Sequence, residues 1–127
     1  MDIDLSLLDR LEQEHRSVEA IFGRMQGVTD ESEQRSLVQE LEAALTPHMQ
    51  IEESQVYPVL AEVDEQMATE AENEHSEARD ALSALKDQIG LSGFDAALQT
   101  LQSGIEHHVE EEEGETFPTL RQSAGNS

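Results

Sequence analysis

The chain has 127 residues, with 29 acidic and 7 basic side chains and a formal charge of −22. That length makes one domain able to bury a core, and that charge excludes nucleic-acid phosphates and anionic membrane surfaces as partners. Cysteine is absent, which excludes disulfides, thiolate nucleophiles and iron–sulfur ligation.

The apolar positions recur at three and four residues, so the expected elements are helices. In the first, Leu8, Leu11, His15, Val18, Phe22 and Met25 share a stripe, with Ser6 as the expected N-cap and Gly27 as the stop. The second carries Val38, Leu41, Leu45, His48, Glu52, Val56 and Val59, introduced by Asp30 and Glu33 in capping-box spacing. Pro47 is expected to kink it just before His48. The third carries Ala71, His75, Ala78, Leu82, Leu85 and Ile89 and stops at Gly90. The fourth carries Phe94, Leu98, Leu101, Ile105, His108 and Glu112. Short connections favour antiparallel neighbours, so the expected fold is all-α, an up-and-down antiparallel four-helix bundle. No apolar run reaches the ~20 residues of a membrane span, and Met1-Asp2-Ile3-Asp4 lacks the basic start of a signal peptide. A soluble, cytoplasmic protein is the expectation.

The sequence repeats itself at an offset of 60. His15 matches His75, His48 matches His108, Glu52 matches Glu112, Glu53 matches Glu113, Tyr57 matches Phe117 and Pro58 matches Pro118. One domain over residues 1–127 is expected, made of two helical hairpins at about 5–60 and 65–120, with 121–127 as a disordered tail. The repeat also chooses between adjacent histidines: it selects His108 with Glu112, and leaves His107 on a wetter face.

Each stripe therefore carries a histidine, and two carry a glutamate as well. His48 with Glu52, and His108 with Glu112, stand at i and i+4, which stacks an imidazole and a carboxylate on one helix face. His15 and His75 enter from the other two helices. Four imidazoles and two carboxylates form the inventory of a dinuclear metal site in which both glutamates bridge. For each residue alone the bland reading is a hydrogen-bonded core histidine or a solvated ion pair; the repeated coincidence is what argues for metal. Glu110, Glu111 and Glu113 read as a solvated face, with a supporting or entry-path role left open to Glu53 and Glu113. Tyr57 and Phe117 read as aromatic caps at one end, with a metal-facing role open to Tyr57. Without metal, Glu52 and Glu112 would face each other, and repulsion and desolvation are expected to raise their pKa values.

These residues resemble the hemerythrin-like family, the HHE cation-binding domain. The likeness rests on Glu14-His15, on His48 to Glu53 ending in Tyr57-Pro58, on Glu74-His75, and on His108 to Glu113 ending in Phe117-Pro118. It runs from about residue 5 to Leu120. The resemblance implies two iron ions, oxo- or hydroxo-bridged, with His15, His48, His75 and His108 as terminal ligands and Glu52 and Glu112 as bridges. Zinc and manganese are the competing metals for such a donor set. The implied partners are O2, peroxide, NO and azide-like anions. Where oxygen carriers of the family have a second third-helix histidine this chain has Arg79, which argues against reversible oxygen carriage. The expected role is binding of iron and such ligands in sensing, iron handling or detoxification. An enzyme turning over hydrogen peroxide or nitrogen oxides at the same centre is the alternative. A ferritin-like carboxylate site is a third reading, because Glu12 and Glu72 complete Glu-x-x-His motifs with His15 and His75.

Overall fold

The structure, a computed structural model, describes residues 3–125. Among these the chain is helical without a strand, and no helix is long and apolar enough to cross a membrane. Four long helices, α1 (Leu5–Met25), α2 (Glu31–Ile51), α4 (Glu65–Asp87) and α5 (Phe94–Glu111), are accompanied by two short ones, α3 (Tyr57–Val63) between α2 and α4 and α6 (Phe117–Gly125) after α5. α1 packs against α2 and α4 against α5, in keeping with a four-helix bundle. α6 runs through Gly125, so residues 121–125 of the expected tail are helical, and 126–127 lie outside the described residues.

Local chemistry sets the ends. α1 is capped by Asp4 rather than Ser6: the Asp4 carboxylate accepts from the Ser6 N–H at 2.9 Å and from the Ser6 hydroxyl at 2.6 Å. An ionised acceptor one turn earlier outcompetes the neutral hydroxyl. Asp64, at the same repeat position, caps α4 by accepting from the Met67 N–H at 3.0 Å. Asp30 accepts from the Glu33 N–H at 2.9 Å, as the spacing predicts. Gly27 and Gly90 end α1 and follow α4 at φ of 73° and 78°, a region costly for other residues.

The departure from regular helix falls after the glutamates, not at Pro47, which lies inside an unbroken α2. Glu52–Val56 and Glu112–Thr116 are each one π-helical turn, in which the N–H of Tyr57 and of Phe117 reaches back five residues to Glu52 and Glu112. Pro58 and Pro118, next in line, have no N–H to continue an α-helical ladder.

Along every long helix a polar layer separates two apolar clusters. Val18, Phe22, Leu41, Leu45, Leu85, Leu98 and Ile105 belong to one; Leu8, Leu11, Val56, Leu60, Ala71, Phe117 and Leu120 belong to the other. The layer between is His15, His48, Glu52, His75, His108 and Glu112, all buried.

Candidate metal centre

Burying Glu52 (0% exposed) and Glu112 (1%) would be prohibitive without partners, at several kcal/mol, roughly, for each uncompensated charge. The partners are the four imidazoles. Nε2 of His48 and of His75 lie 3.3 and 3.0 Å from Glu52 Oε1. Nε2 of His15 lies 3.1 Å from Glu112 Oε1, and that of His108 3.2 Å from Glu112 Oε2. The rings pair alike in both halves, with centroids 4.8 Å apart for His15 and His48 and 4.7 Å for His75 and His108.

All four Nε2 atoms face inward because each Nδ1 is engaged by a carboxylate from another helix or turn. His48 Nδ1 meets Glu14 at 2.8 Å and His108 Nδ1 meets Glu74 at 2.6 Å. His15 Nδ1 meets Glu113 and His75 Nδ1 meets Glu53, both at 2.7 Å. A neutral imidazole donating from Nδ1 keeps its Nε2 lone pair for a metal, and the carboxylate raises its basicity. Glu53 and Glu113 are thus the supporting acids that sequence allowed for. Glu14 and Glu74 were missed in that role; their signal was present, since each precedes a repeated histidine and the two are 60 apart.

The inward atoms form two groups that could each hold a cation: His15, His48, Glu52 and Glu112, and Glu52, His75, His108 and Glu112. Within each group the ligand atoms lie within 4.8 Å of one another, and both glutamates belong to both groups. Three buried atoms, His15 Nε2, Glu52 Oε2 and Glu112 Oε1, have no hydrogen-bond partner, as expected of donors shaped for a metal rather than for one another. His107 stays outside, 64% exposed, beside Glu111 at 2.8 Å. Glu12 turns to the surface and pairs with Arg121 at 2.8 Å, and Glu72 is exposed, so neither Glu-x-x-His glutamate joins the cluster.

Electrostatics without metal differ from the sequence expectation for Glu52. Burial favours its protonation, but hydrogen bonds from His108, His48 and His75 outweigh burial and hold it well below the usual carboxylate range. Burial lowers His48, and Glu52 and Glu14 more than reverse that, pushing it up to about 9. His108 is raised well above its ordinary value against the same opposition from burial, by Glu112, Glu52 and Glu74. Protons on imidazoles therefore supply the positive charge that metal would otherwise bring. Glu112 too lowers Glu52, through a hydrogen bond, where repulsion was expected to raise it.

The family model of the hemerythrin HHE cation-binding domain matches residues 6–120. The chain belongs to the hemerythrin family. A search of curated proteins and of solved structures found no match. Membership and the buried His/Glu cluster together make this a cation-binding domain of the hemerythrin kind.

Tyr57 corrects the picture of a simple aromatic cap. Its ring is buried, and its hydroxyl donates to Glu112 Oε2 at 2.6 Å while lying 3.0 and 3.2 Å from Nε2 of His75 and His108. Burial, with the charges of Glu112 and Glu52, raises its pKa, so the phenol stays protonated. Phe117, its counterpart, stacks on His15 with 6.0 Å between centroids and 3° between planes. Arg79 does not enter the layer; it lies 2.8 Å from Glu53, the carboxylate that holds His75.

Proposed function

We propose that the chain is a non-haem di-iron protein whose centre binds small oxygen- or nitrogen-derived ligands (O2, peroxide or NO) in sensing, iron handling or detoxification. Zinc and manganese are the substitutes the donor set admits. In this reading His15, His48, His75 and His108 are terminal ligands, Glu52 and Glu112 bridge, and the two hairpins pair as an antiparallel up-and-down bundle within one domain. The observation that carries it is the pair of overlapping four-ligand groups sharing both glutamates. Six protein ligands for two ions leave coordination positions free, and a bound iron pair would supply Lewis acidity and one-electron chemistry there.

A cavity of about 20 Å³ supports a small apolar ligand. It touches all four histidines and Glu74 and is otherwise walled by Val18, Leu45, Met49, Ala78, Ile105 and Val109. That is room for about one water-sized molecule. Tyr57 favours the second reading, turnover of peroxide or nitrogen oxides. Its hydroxyl, held protonated, is a hydrogen-bond donor within reach of the cluster that can stabilise negative charge developing on a bound ligand.

The test is metal analysis and an absorption spectrum of protein loaded with ferrous iron and then oxidised. Two irons per chain and an oxo-bridged di-ferric band that shifts on adding azide or NO are expected. One iron or none, or a spectrum indifferent to both ligands, would overturn the reading. Steady oxygen evolution from peroxide at sub-stoichiometric protein would select the enzyme.

A further inference from the structure

Cavities of different chemistry abut the buried layer. The one described above, of about 20 Å³ and mostly apolar in its walls, has Glu74 as its single carboxylate and is too small for a hydrated cation. One of about 200 Å³ touches His48, but its wall carries Arg10, and Glu14 is its single carboxylate. A third, of about 120 Å³, lies where the start of α4 meets the π turn 112–116. Asp64, Glu70, Glu74, Glu111 and Glu115 line it, with no lysine or arginine. It reaches down to His108 and to Glu112, which is 1% exposed and has an oxygen, Oε1, without a hydrogen-bond partner. At its edge Glu74 and Glu111 also face His107, whose Nε2 lies 3.6 and 2.8 Å from them. One ligand atom from each of these three residues lies within 4.8 Å of the others.

The repeat supplies an internal control. Moving back 60 residues, Glu70 becomes Arg10, Glu111 becomes Ile51, Glu115 becomes Gln55, Thr116 becomes Val56, Ala71 becomes Leu11 and His107 becomes Pro47. In that half Leu11 and Val56 are fully buried, Ile51 packs on the core, and Arg10 donates to Glu14 at 3.0 Å. The residues that hold the centre are the same in both halves, Glu14 with Glu74, His48 with His108 and Glu52 with Glu112. What differs is the approach to them: one side is lined by apolar side chains and a guanidinium, the other by small, polar and acidic ones.

We propose that this acidic cleft is the route by which divalent metal ions reach the centre, with Glu74, His107 and Glu111 as the outer station. The proposal rests on the metal-centre reading above. A cation entering a buried layer gives up hydration, and carboxylates along the way replace it while their field raises the local ion concentration. Arg10 makes the opposite side repulsive to the same ion.

The experiment is stopped-flow loading of the metal-free full chain with Co2+, read by ligand-field absorption, together with the final metal content. The unaltered chain should take up two ions. The triple variant Glu70→Gln, Glu111→Gln, Glu115→Gln should still take up two, at a rate lower by roughly tenfold and less sensitive to salt, as loss of electrostatic steering requires. A control removing the same charge elsewhere, Glu33→Gln, Asp80→Asn, Asp87→Asn, should change the rate by less than about twofold, the residue of a screened long-range field. Glu70→Arg, which copies the closed half, should slow loading further, and His107→Ala should slow it without lowering the final content. Should the triple variant not hold native helicity, the single Glu70→Gln and Glu70→Arg variants carry the comparison. Equal rates in the two triple variants, with two ions bound in each, would overturn the route and leave the centre standing. An unaltered chain that binds no Co2+ would instead remove the centre, and the route with it.

Discussion

The two halves of the centre are built from matched ligands but closed by different rings. Around His15 and His48 the neighbouring aromatic is Phe117, stacked face to face on His15 and offering no polar atom. Around His75 and His108 it is Tyr57, whose hydroxyl sits among the ligand atoms. The repeat at an offset of 60 accounts for the likeness: the same Glu-His step on α1 and α4, the same His-x-x-x-Glu where α2 and α5 end, the same π turn before proline. The difference teaches that the ligand set and the reactivity are separable. A shared geometry offers two groups that could each hold a cation, and a single oxygen atom makes one group unlike the other.

The largest expected effect comes from breaking the likeness at the ligands. His48→Ala and His108→Ala each remove one imidazole from a group whose glutamates serve both groups, so each should cost most of the bound metal rather than one ion cleanly. Glu12→Ala and His107→Ala, outside the layer, should leave two ions per chain. Metal content after gel filtration measures this. Full occupancy in His108→Ala, or loss in Glu12→Ala, would return the assignment to a shifted register or to a ferritin-like site.

Next in size is the dependence of stability on metal and pH. His48 is raised from 6.5 to about 9 in the metal-free fold. Its contribution is therefore complete below pH 6.5 and lost as pH rises through 9, on the order of 3 kcal/mol for this one strongly coupled group. His108, also raised, acts in the same direction. The lowered Glu52 contributes above its ordinary range and loses that contribution only in acid, as pH falls through its depressed value. Bound metal replaces the imidazole protons and adds its binding free energy to folding. Thermal unfolding from pH 6 to 9 should show the metal-free midpoint falling while the loaded midpoint holds, so that the gap widens with pH. Parallel curves would mean the imidazoles carry no proton that metal displaces.

Tyr57→Phe makes the two halves alike, and its effect should be smaller. The ring volume stays, but Glu112 loses a 2.6 Å hydrogen bond. The metal-free protein should lose about 1–3 kcal/mol, the range for a hydrogen bond to a charged group. Two ions should still bind, and the response of the iron spectrum to azide should increase if the phenol guards the His75/His108 side. Denaturant unfolding and an azide titration read the two effects separately.

Sequence carried much of this and failed in identifiable places. Helix periodicity and the offset of 60 brought out the six buried residues, because a polar residue repeated on an apolar stripe has few bland explanations. The π turns were not legible, since periodicity cannot tell a five-residue turn from a helix ending before proline. Glu14 and Glu74 repeat at the same offset, but that they cross to a neighbouring helix to reach His48 and His108 was not legible, because the offset gives no partner. The sign of the Glu52 shift was not legible for a related reason: sequence sets the two carboxylates on facing stripes but does not give the distances from Glu52 to His48, His75 and His108 that decide it.

The smallest effect, and the finest test of the comparison, is at Arg79. The resemblance to oxygen carriers implies a further histidine where this chain has Arg79, and the guanidinium lies at the surface and holds Glu53, which in turn holds His75 Nδ1. The matching carboxylate on the other side, Glu113, is held by Arg16 from a different register. Each half has thus recruited its own arginine, and neither arginine can serve as a metal ligand because it stays protonated. Arg79 is 42% exposed, and an ion pair of that kind contributes about 0–1 kcal/mol. Arg79→Ala should therefore leave both ions bound and lower stability by less than about 1 kcal/mol. Its trace should be confined to the His75 side, as a modest loosening of one of two ions in a competitive chelator titration. Arg16→Ala should do the same on the His15 side. Loss of both ions in Arg79→Ala would mean that this arginine holds the whole layer rather than one carboxylate, and the two halves would then differ in support as well as in the ring that closes them.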